Sequence, residues 1–283
     1  MIDLHVHTSA SDGQYTAEEI VHKAAEKNIS VLGITDHDTI GGLEMGKKAA
    51  EECGITLVPG VELSINFPTG EFHLLGLGLK SISPGFQQIL DNVVENRHRR
   101  NCEIIEKMRA DGVDITIEEM YAEFPNTILG RPHFAAMLQK KGIVRHRQQA
   151  FDRFLAHGRP WYVKKVGTNL DEAIVAIRES GGAPVIAHPM SLFLSWGKLP
   201  DALKDFYERG VVGLEAYHPG ARVTECLRLE ELAGKLGYFV TAASDFHGEK
   251  IRADRKLGHT CGDKKIEDRF WTENLKPWLD AHS

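Results

Sequence analysis

Residues 1–16 read "MIDLHVHTSASDGQYT" and set His5, His7 and Asp12 within eight residues. A strand turns successive side chains to opposite faces, so His5 and His7 share one face while Ile2, Leu4 and Val6 take the other. That is the spacing of two metal ligands on one strand. Taken alone, a His-x-His pair reads equally well as one core histidine and one exposed one, and the rest of the chain decides between them.

Outward from this stretch, strands and helices alternate. Thr16 with Glu19 forms a capping box that opens a helix bearing Ala17, Ile20, Val21, Ala24 and Ala25 on one face. An apolar strand that ends in charge follows, "VLGITDHD" (31–38), then a helix from about Gly41 to Cys53. Two β-type runs come next, "ITLVPGVEL" (55–63) and "EFHLLGLGL" (71–79), bounded by Gly, Pro and Asn. After Pro84 the pattern turns helical as far as Gly167. It has a long helix through Ile89, Val93 and Ile104, one capped by Thr116 with Glu119, one starting at "RPHFAAML" (131–138) and one near Phe151. We read 97–167 as an inserted helical domain that divides a barrel domain into 1–96 and 168–283. The alternation resumes with a helix capped by Asn169, then "APVIAHP" (183–189), a helix near Leu203, "VVGLEAYH" (211–218), a helix from about Arg222 and "FVTAASDFH" (239–247).

Seven candidate strands, most separated by helices, predict a parallel α/β arrangement closed or nearly closed into a barrel. The polar residues support this. His5, His7, Asp36, His37, Glu62, His188, Glu215, His218, Asp245 and His247 all fall at or near the C-terminal ends of strands, the end at which α/β barrels do chemistry. Each has an ordinary explanation as a turn former or cap. Nearly every strand finishing in a metal-competent residue does not, and a shared metal centre is expected.

With 283 residues and 42% hydrophobic content, the chain can bury one barrel-sized core. No stretch approaches the length of an apolar membrane span, and no basic run precedes an apolar one at the N-terminus, so a cytoplasmic protein without membrane partners is expected. Cys53, Cys102, Cys226 and Cys261 form no C-x-x-C pair and read as free thiols. The net charge of −6 is uneven: residues 97–168 hold 14 Lys and Arg against 8 Asp and Glu, the remainder 20 against 32. The runs "RHRR" (97–100) and "KK" (140–141, 164–165) suit either solvated helix faces or a basic recognition surface.

The segments "HVHTSASDG", "GITDHDT", "GVELS", "EFHLLG", "IAHP" and "ASDFH", in this order, resemble the polymerase and histidinol phosphatase (PHP) family of metallophosphoesterases. The resemblance covers essentially the whole chain. It is nearest to the branch with a helical insertion, which includes 3′,5′-nucleoside bisphosphate phosphatases and 5′–3′ exoribonucleases. It implies a distorted (β/α)7 TIM-like barrel and a trinuclear metal centre. His5, His7, Glu62 and Asp245 would hold the first ion. Glu62 would bridge to a second held by His73 and His188. Asp12, His37 and His247 would bind the third. Relatives often carry histidine where Asp12 stands, so this third position is one carboxylate richer and suits a harder ion. Mn²⁺ is the first choice from the family, and Fe²⁺, Zn²⁺ and Mg²⁺ also fit mixed imidazole and carboxylate ligation.

The implied chemistry is hydroxide attack on phosphorus without a covalent enzyme intermediate, because metal ions both activate water and offset the anionic phosphate. His218 is expected to protonate the leaving alkoxide or bind the phosphate, its ordinary alternative being a strand-end histidine without a role. Asp36 is expected to orient a metal-bound histidine and Asp38 to cap the next helix. In the insertion, Arg131 and then Lys164 are the candidates for gripping a second phosphate, since arginine forks onto phosphate. Trp161 and Tyr162 suit base stacking, though such residues are more often core. The leading function is removal of the 3′-phosphate from a nucleoside 3′,5′-bisphosphate, and the second is trimming of short RNA from its 5′ end. An acidic chain with localised positive charge does not suit duplex DNA. A non-catalytic metal-binding module and a metal-dependent amide hydrolase are the remaining classes. The full ligand set and the basic insertion weigh against them, and the sequence names no protein partner.

Overall fold

A computed structural model describes residues 1–125 and 127–282. The chain divides into two compact units, one of 1–89 with 167–283 and one of 90–166.

The first unit is built on a seven-stranded sheet in the order β1 to β7. Its elements run β1 (Ile2–Val6), α1 (Ala17–Glu26), β2 (Val31–Ile34), α2 (Leu43–Cys53), β3 (Thr56–Ile65) and β4 (Phe72–Leu77). β1, β2 and β3 are parallel, as an intervening helix requires. β4 departs from the parallel expectation and runs antiparallel to β3. Only residues 66–71 connect the two strands, too few for a crossover helix, so the chain returns as a hairpin. One end of β4 is thereby reversed: its N-terminal end, not its C-terminal end, lies beside the C-terminal end of β3, with His73 opposite Ser64.

The second unit starts inside α3 (Pro84–Ala110) and holds α4 (Ile117–Glu123), α5 (Arg131–Lys140) and α6 (Arg147–Ala150), which continues as a π-helical turn at Phe151–Leu155. Its core packs Ile104, Met108, Phe134, Leu138 and Trp161. The Trp161 indole N–H donates to Asp111 at 2.7 Å, and its ring stacks on Phe154, so this residue is core and not a base platform. "RHRR" is not one solvated face, because Arg100 is buried and donates to the Val163 carbonyl at 3.0 Å. Lys140 pairs with Glu123 and Lys141 with Glu119, so this basic pair is engaged within the unit.

The barrel resumes with α7 (Leu170–Glu179), β5 (Ala183–Ile186), α8 (Leu199–Arg209), β6 (Gly213–Tyr217), α9 (Val223–Leu236), β7 (Phe239–Ala242) and, near the C-terminus, α10 (Lys276–Ala281). β5 runs against β4, and β6 and β7 are parallel to β5. The sheet nearly closes. His5 accepts from the Asp245 N–H at 3.1 Å, and Val6 bridges Phe246 in parallel register. Buried Asp3 seals this seam, accepting from the Ser244 N–H, the Ser244 hydroxyl and the Gly258 N–H. Burial pushes its carboxyl up to about 6, against the pull of those hydrogen bonds. Among the described residues no helix is long and apolar enough to cross a membrane.

Candidate metal centre

His5, on β1, and His7, just beyond it, both point into the barrel and are buried. The parallel bridge between His37 and Glu62 brings the ends of β2 and β3 together. The reversal of β4 brings His73 to the same rim, and His188, Asp245 and His247 follow the ends of β5 and β7. The nine residues expected as metal ligands thus converge on one site. Three sets place ligand atoms within 4.8 Å of one another: His7, Asp12, His37 and His247; His5, His7 and Asp245; His37, Glu62 and His73. His188 Nε2 lies 2.9 Å from Glu62 Oε1, beside His73. The groupings differ in detail from the implied division into three ions, because His7 and His37 each belong to two sets. His188 and Asp245 hold φ of 28° and 52°, left-handed conformations that cost non-glycine residues about 1–3 kcal/mol and gather at functional sites.

Hydrogen bonds sort the histidines by tautomer. His5 Nδ1 faces a Glu215 oxygen at 2.9 Å. His247 Nδ1 faces the carbonyl of Asp245 at 2.9 Å. His188 Nδ1 faces the Ser191 hydroxyl at 2.8 Å, and that hydroxyl has already given its proton to the Glu71 carbonyl. Each Nδ1 must therefore donate, and in the neutral ring Nε2 is left as a bare lone pair aimed into the site. His218 is set the other way. Its Nδ1 accepts from the Gly220 N–H at 3.0 Å, so its proton sits on Nε2 and donates to Asp245 at 3.2 Å.

These Nε2 atoms crowd against one another and against carboxylate oxygens. His188 Nε2 faces a carboxylate oxygen, and the His5 and His7 Nε2 atoms lie 3.0 Å apart. His37 Nδ1 and Glu62 Oε2 are buried 2.8 Å apart without the angles of a hydrogen bond, and His7 Nδ1 is likewise unbonded. Two ligand atoms aimed at a common point, not at each other, are what a shared cation requires. The charge agrees. Burial opposes ionisation of Glu62, yet His37, His73 and His5 hold it well below the usual carboxylate range. Asp12 and Asp245 are held low against burial too, chiefly by His247. Burial opposes protonation of His7, but hydrogen bonds to Asp245 and Glu62 push it up to about 10. His5 rises well above its ordinary value through Glu215 and Glu62. The donor set fits divalent cations.

Other side chains serve elsewhere than expected. Asp36 accepts from the Thr8 N–H, the Thr8 hydroxyl and the Ser11 hydroxyl, pinning the loop that carries Asp12. Asp38 does not cap α2, whose N-cap is Gly42, and accepts from the Ser64 N–H across β3. Glu215, Ser191, Arg252 and Arg255 were not singled out from sequence for the roles their geometry suggests. Arg131 and Lys164 belong to the other unit. There Arg131 opens α5 and lies over the Tyr162 ring, and Lys164 is exposed. The site itself opens into a cavity of about 360 Å³.

Imidazoles and carboxylates converging at the mouth of a nearly closed α/β sheet define a metal-dependent barrel enzyme. The chain belongs to the PHP domain family, whose model matches residues 3–152. It is 30% identical to a 3′,5′-nucleoside bisphosphate phosphatase from Chromobacterium violaceum, over 96% of this chain and 95% of that one. It is 32% identical to a 5′–3′ exoribonuclease from Haemophilus influenzae, over 87% and 89% of the two chains. The structure of an amidohydrolase from Chromobacterium violaceum, with bound sulfate and no metal, matches with a TM-score of 0.85 at 29% identity, covering 99% of this chain and 96% of that one.

Proposed function

We propose that this protein is a metal-dependent phosphoesterase that removes the 3′-phosphate from nucleoside 3′,5′-bisphosphates. The observation that carries the reading is the opposed setting of the rings: His5, His188 and His247 donate from Nδ1 and turn Nε2 into the site, whereas His218 accepts at Nδ1 and carries its proton on Nε2. The first three are prepared to ligate, the last to donate. His5, His7, Glu62 and Asp245 would hold one ion, Glu62, His73 and His188 a second, and Asp12, His37 and His247 a third, with Mn²⁺ the preferred metal. Such ions supply a water activated at neutral pH and offset the charge of the phosphoryl oxygens.

Burial lowers the pKa of His218, against the pull of Asp245. Its Nε2–H, given to Asp245 in the free protein, would pass to substrate once Asp245 holds a metal ion, either binding a phosphoryl oxygen or protonating the leaving alkoxide. Unit 90–166 is proposed to carry substrate recognition, with Arg131 and Lys164 as the groups for the second phosphate. Its positive balance supports this. A cytoplasmic setting belongs to the same proposal and is supported by four free cysteines.

A second reading, stepwise removal of nucleotides from the 5′ end of short RNA, is supported by the exoribonuclease relative. The amide-hydrolase class has the name of one structural relative behind it and no anion-recognition argument. The test offers Mn²⁺-reconstituted protein adenosine 3′,5′-bisphosphate, a plain mononucleotide and a short 5′-phosphorylated RNA. Inorganic phosphate released from the first is the expected result. Mononucleotides released only from the RNA would overturn it in favour of the second reading.

A further inference from the structure

The cavity that holds the candidate ligands also has a basic wall. Arg252 and Arg255, in the segment after His247, line it together with His218 and Gly220. Arg255 is buried, 6% exposed, and its Nε makes no hydrogen bond. Its ion pair with Asp254 is a loose 3.6 Å. Asp254 is already engaged by Arg252 through two contacts of 3.1 Å, one on each carboxylate oxygen. A buried guanidinium donor without an acceptor is costly, which calls for a partner the protein itself does not provide.

Gly220 lies against both Arg255 and His218. A Cβ built there would lie 2.9 Å from His218 Nδ1 and 3.3 Å from a terminal nitrogen of Arg255, so the backbone passes between the two groups with no room for a side chain. The Arg255 guanidinium therefore lies against Gly220 on the Nδ1 side of His218, and it lines the same cavity as Asp245, to which the His218 Nε2–H is already given. A planar fork of donors matches the non-bridging oxygens of a phosphate.

We propose that Arg255 grips the non-bridging oxygens of the phosphoryl group that is hydrolysed. The proposal rests on the phosphoesterase reading and deepens it. The competing account makes Arg255 a counter-ion that offsets Asp245 and Glu215, a role that needs no substrate.

The two accounts separate in Mn²⁺-reconstituted wild type, Arg255→Ala and Arg255→Lys. Three readouts are taken: bound metal by elemental analysis, the inhibition constant of inorganic phosphate, and kcat/KM on adenosine 3′,5′-bisphosphate and adenosine 3′-monophosphate. Arg255→Ala is expected to keep its metal and to weaken phosphate binding about tenfold or more. It should lower kcat/KM by the same factor on both substrates, because both present the same scissile group. Arg255→Lys should fall between, and it decides alone if Arg255→Ala does not fold. Loss of metal with phosphate binding intact would overturn the proposal in favour of the counter-ion. A loss confined to the bisphosphate would overturn it by assigning Arg255 to the distal phosphate. If wild type hydrolyses neither nucleotide, the phosphoesterase reading fails, and calorimetric binding of inorganic phosphate still judges Arg255.

Discussion

Glu215 accepts a hydrogen bond from His5 Nδ1 at 2.9 Å, and its other carboxylate oxygen accepts the backbone N–H of His188 at 2.8 Å. One buried carboxylate thus sets the tautomer of a ring on β1 and the position of a ring beyond β5. Groups that orient ligands in this way typically govern metal affinity by 10- to 100-fold. Glu215→Ala is expected to weaken Mn²⁺ binding by about that factor in a competition titration, and unchanged affinity would remove Glu215 from the centre.

Ser191 does the same for His188 through a hydroxyl that relays its own proton to Glu71. Ser191→Ala leaves His188 Nδ1 without its acceptor but keeps the nearby charges. The expected loss of Mn²⁺ affinity is smaller than for Glu215→Ala, about three- to tenfold. A loss as large as that of Glu215→Ala would mean that Ser191 does more than fix a tautomer.

In the proposed centre protons and metal would compete for the same nitrogens, which gives a sign to the pH dependence. The folded pKa of His7 is about 10 against 6.5 when unfolded, and His5 and His188 shift the same way. Their contribution to stability is full below 6.5 and is lost as pH rises towards 10. Asp12, Glu62 and Asp245 shift down, so theirs is present above the ordinary carboxylate pKa and lost in acid. Chelator-treated protein should therefore lose Tm between pH 6.5 and 9.5. Over the same range the stabilisation by added Mn²⁺ should grow, because ligands bind metal only once deprotonated. Scanning calorimetry with and without chelator checks both, and a chelated Tm that rises with pH would contradict the assignment.

Asp36 holds the loop of residues 8–11 with three hydrogen bonds of 2.6–2.7 Å to buried groups. Asp36→Ala strands those donors at a cost of roughly 2–4 kcal/mol. Denaturant unfolding of chelated protein should show this directly. The role expected from sequence, orienting a metal-bound histidine, would instead change metal affinity and leave chelated stability intact.

How much of this was legible in the chain follows from the range of the interactions. The convergence of the candidate ligands could be read because each rides on a local pattern: the period of two puts His5 and His7 on one face, and Glu62, His188 and Asp245 lie at or near strand ends. The reversal of β4 went unread, although the six residues 66–71 leave no room for a crossover helix. Asp36 and Asp38 looked like cap and orienting residues because their neighbours in sequence suggest it. Their partners, Thr8 and Ser64, lie 28 and 26 residues away. Glu215 reaches His5 across 210 residues, and Arg255 meets Gly220 only once the barrel closes. Contacts set by closure leave no periodic trace in sequence.

The central claim is that His5, His7, Asp12, His37, Glu62, His73, His188, Asp245 and His247 hold divalent cations at the barrel mouth. Anomalous diffraction at the manganese absorption edge, from crystals grown with Mn²⁺, measures it most directly. We expect strong peaks enclosed by these nine side chains, one of them touching Glu62. Peaks lying only elsewhere, or none at an occupancy that the same crystals reach for bound substrate, would contradict it.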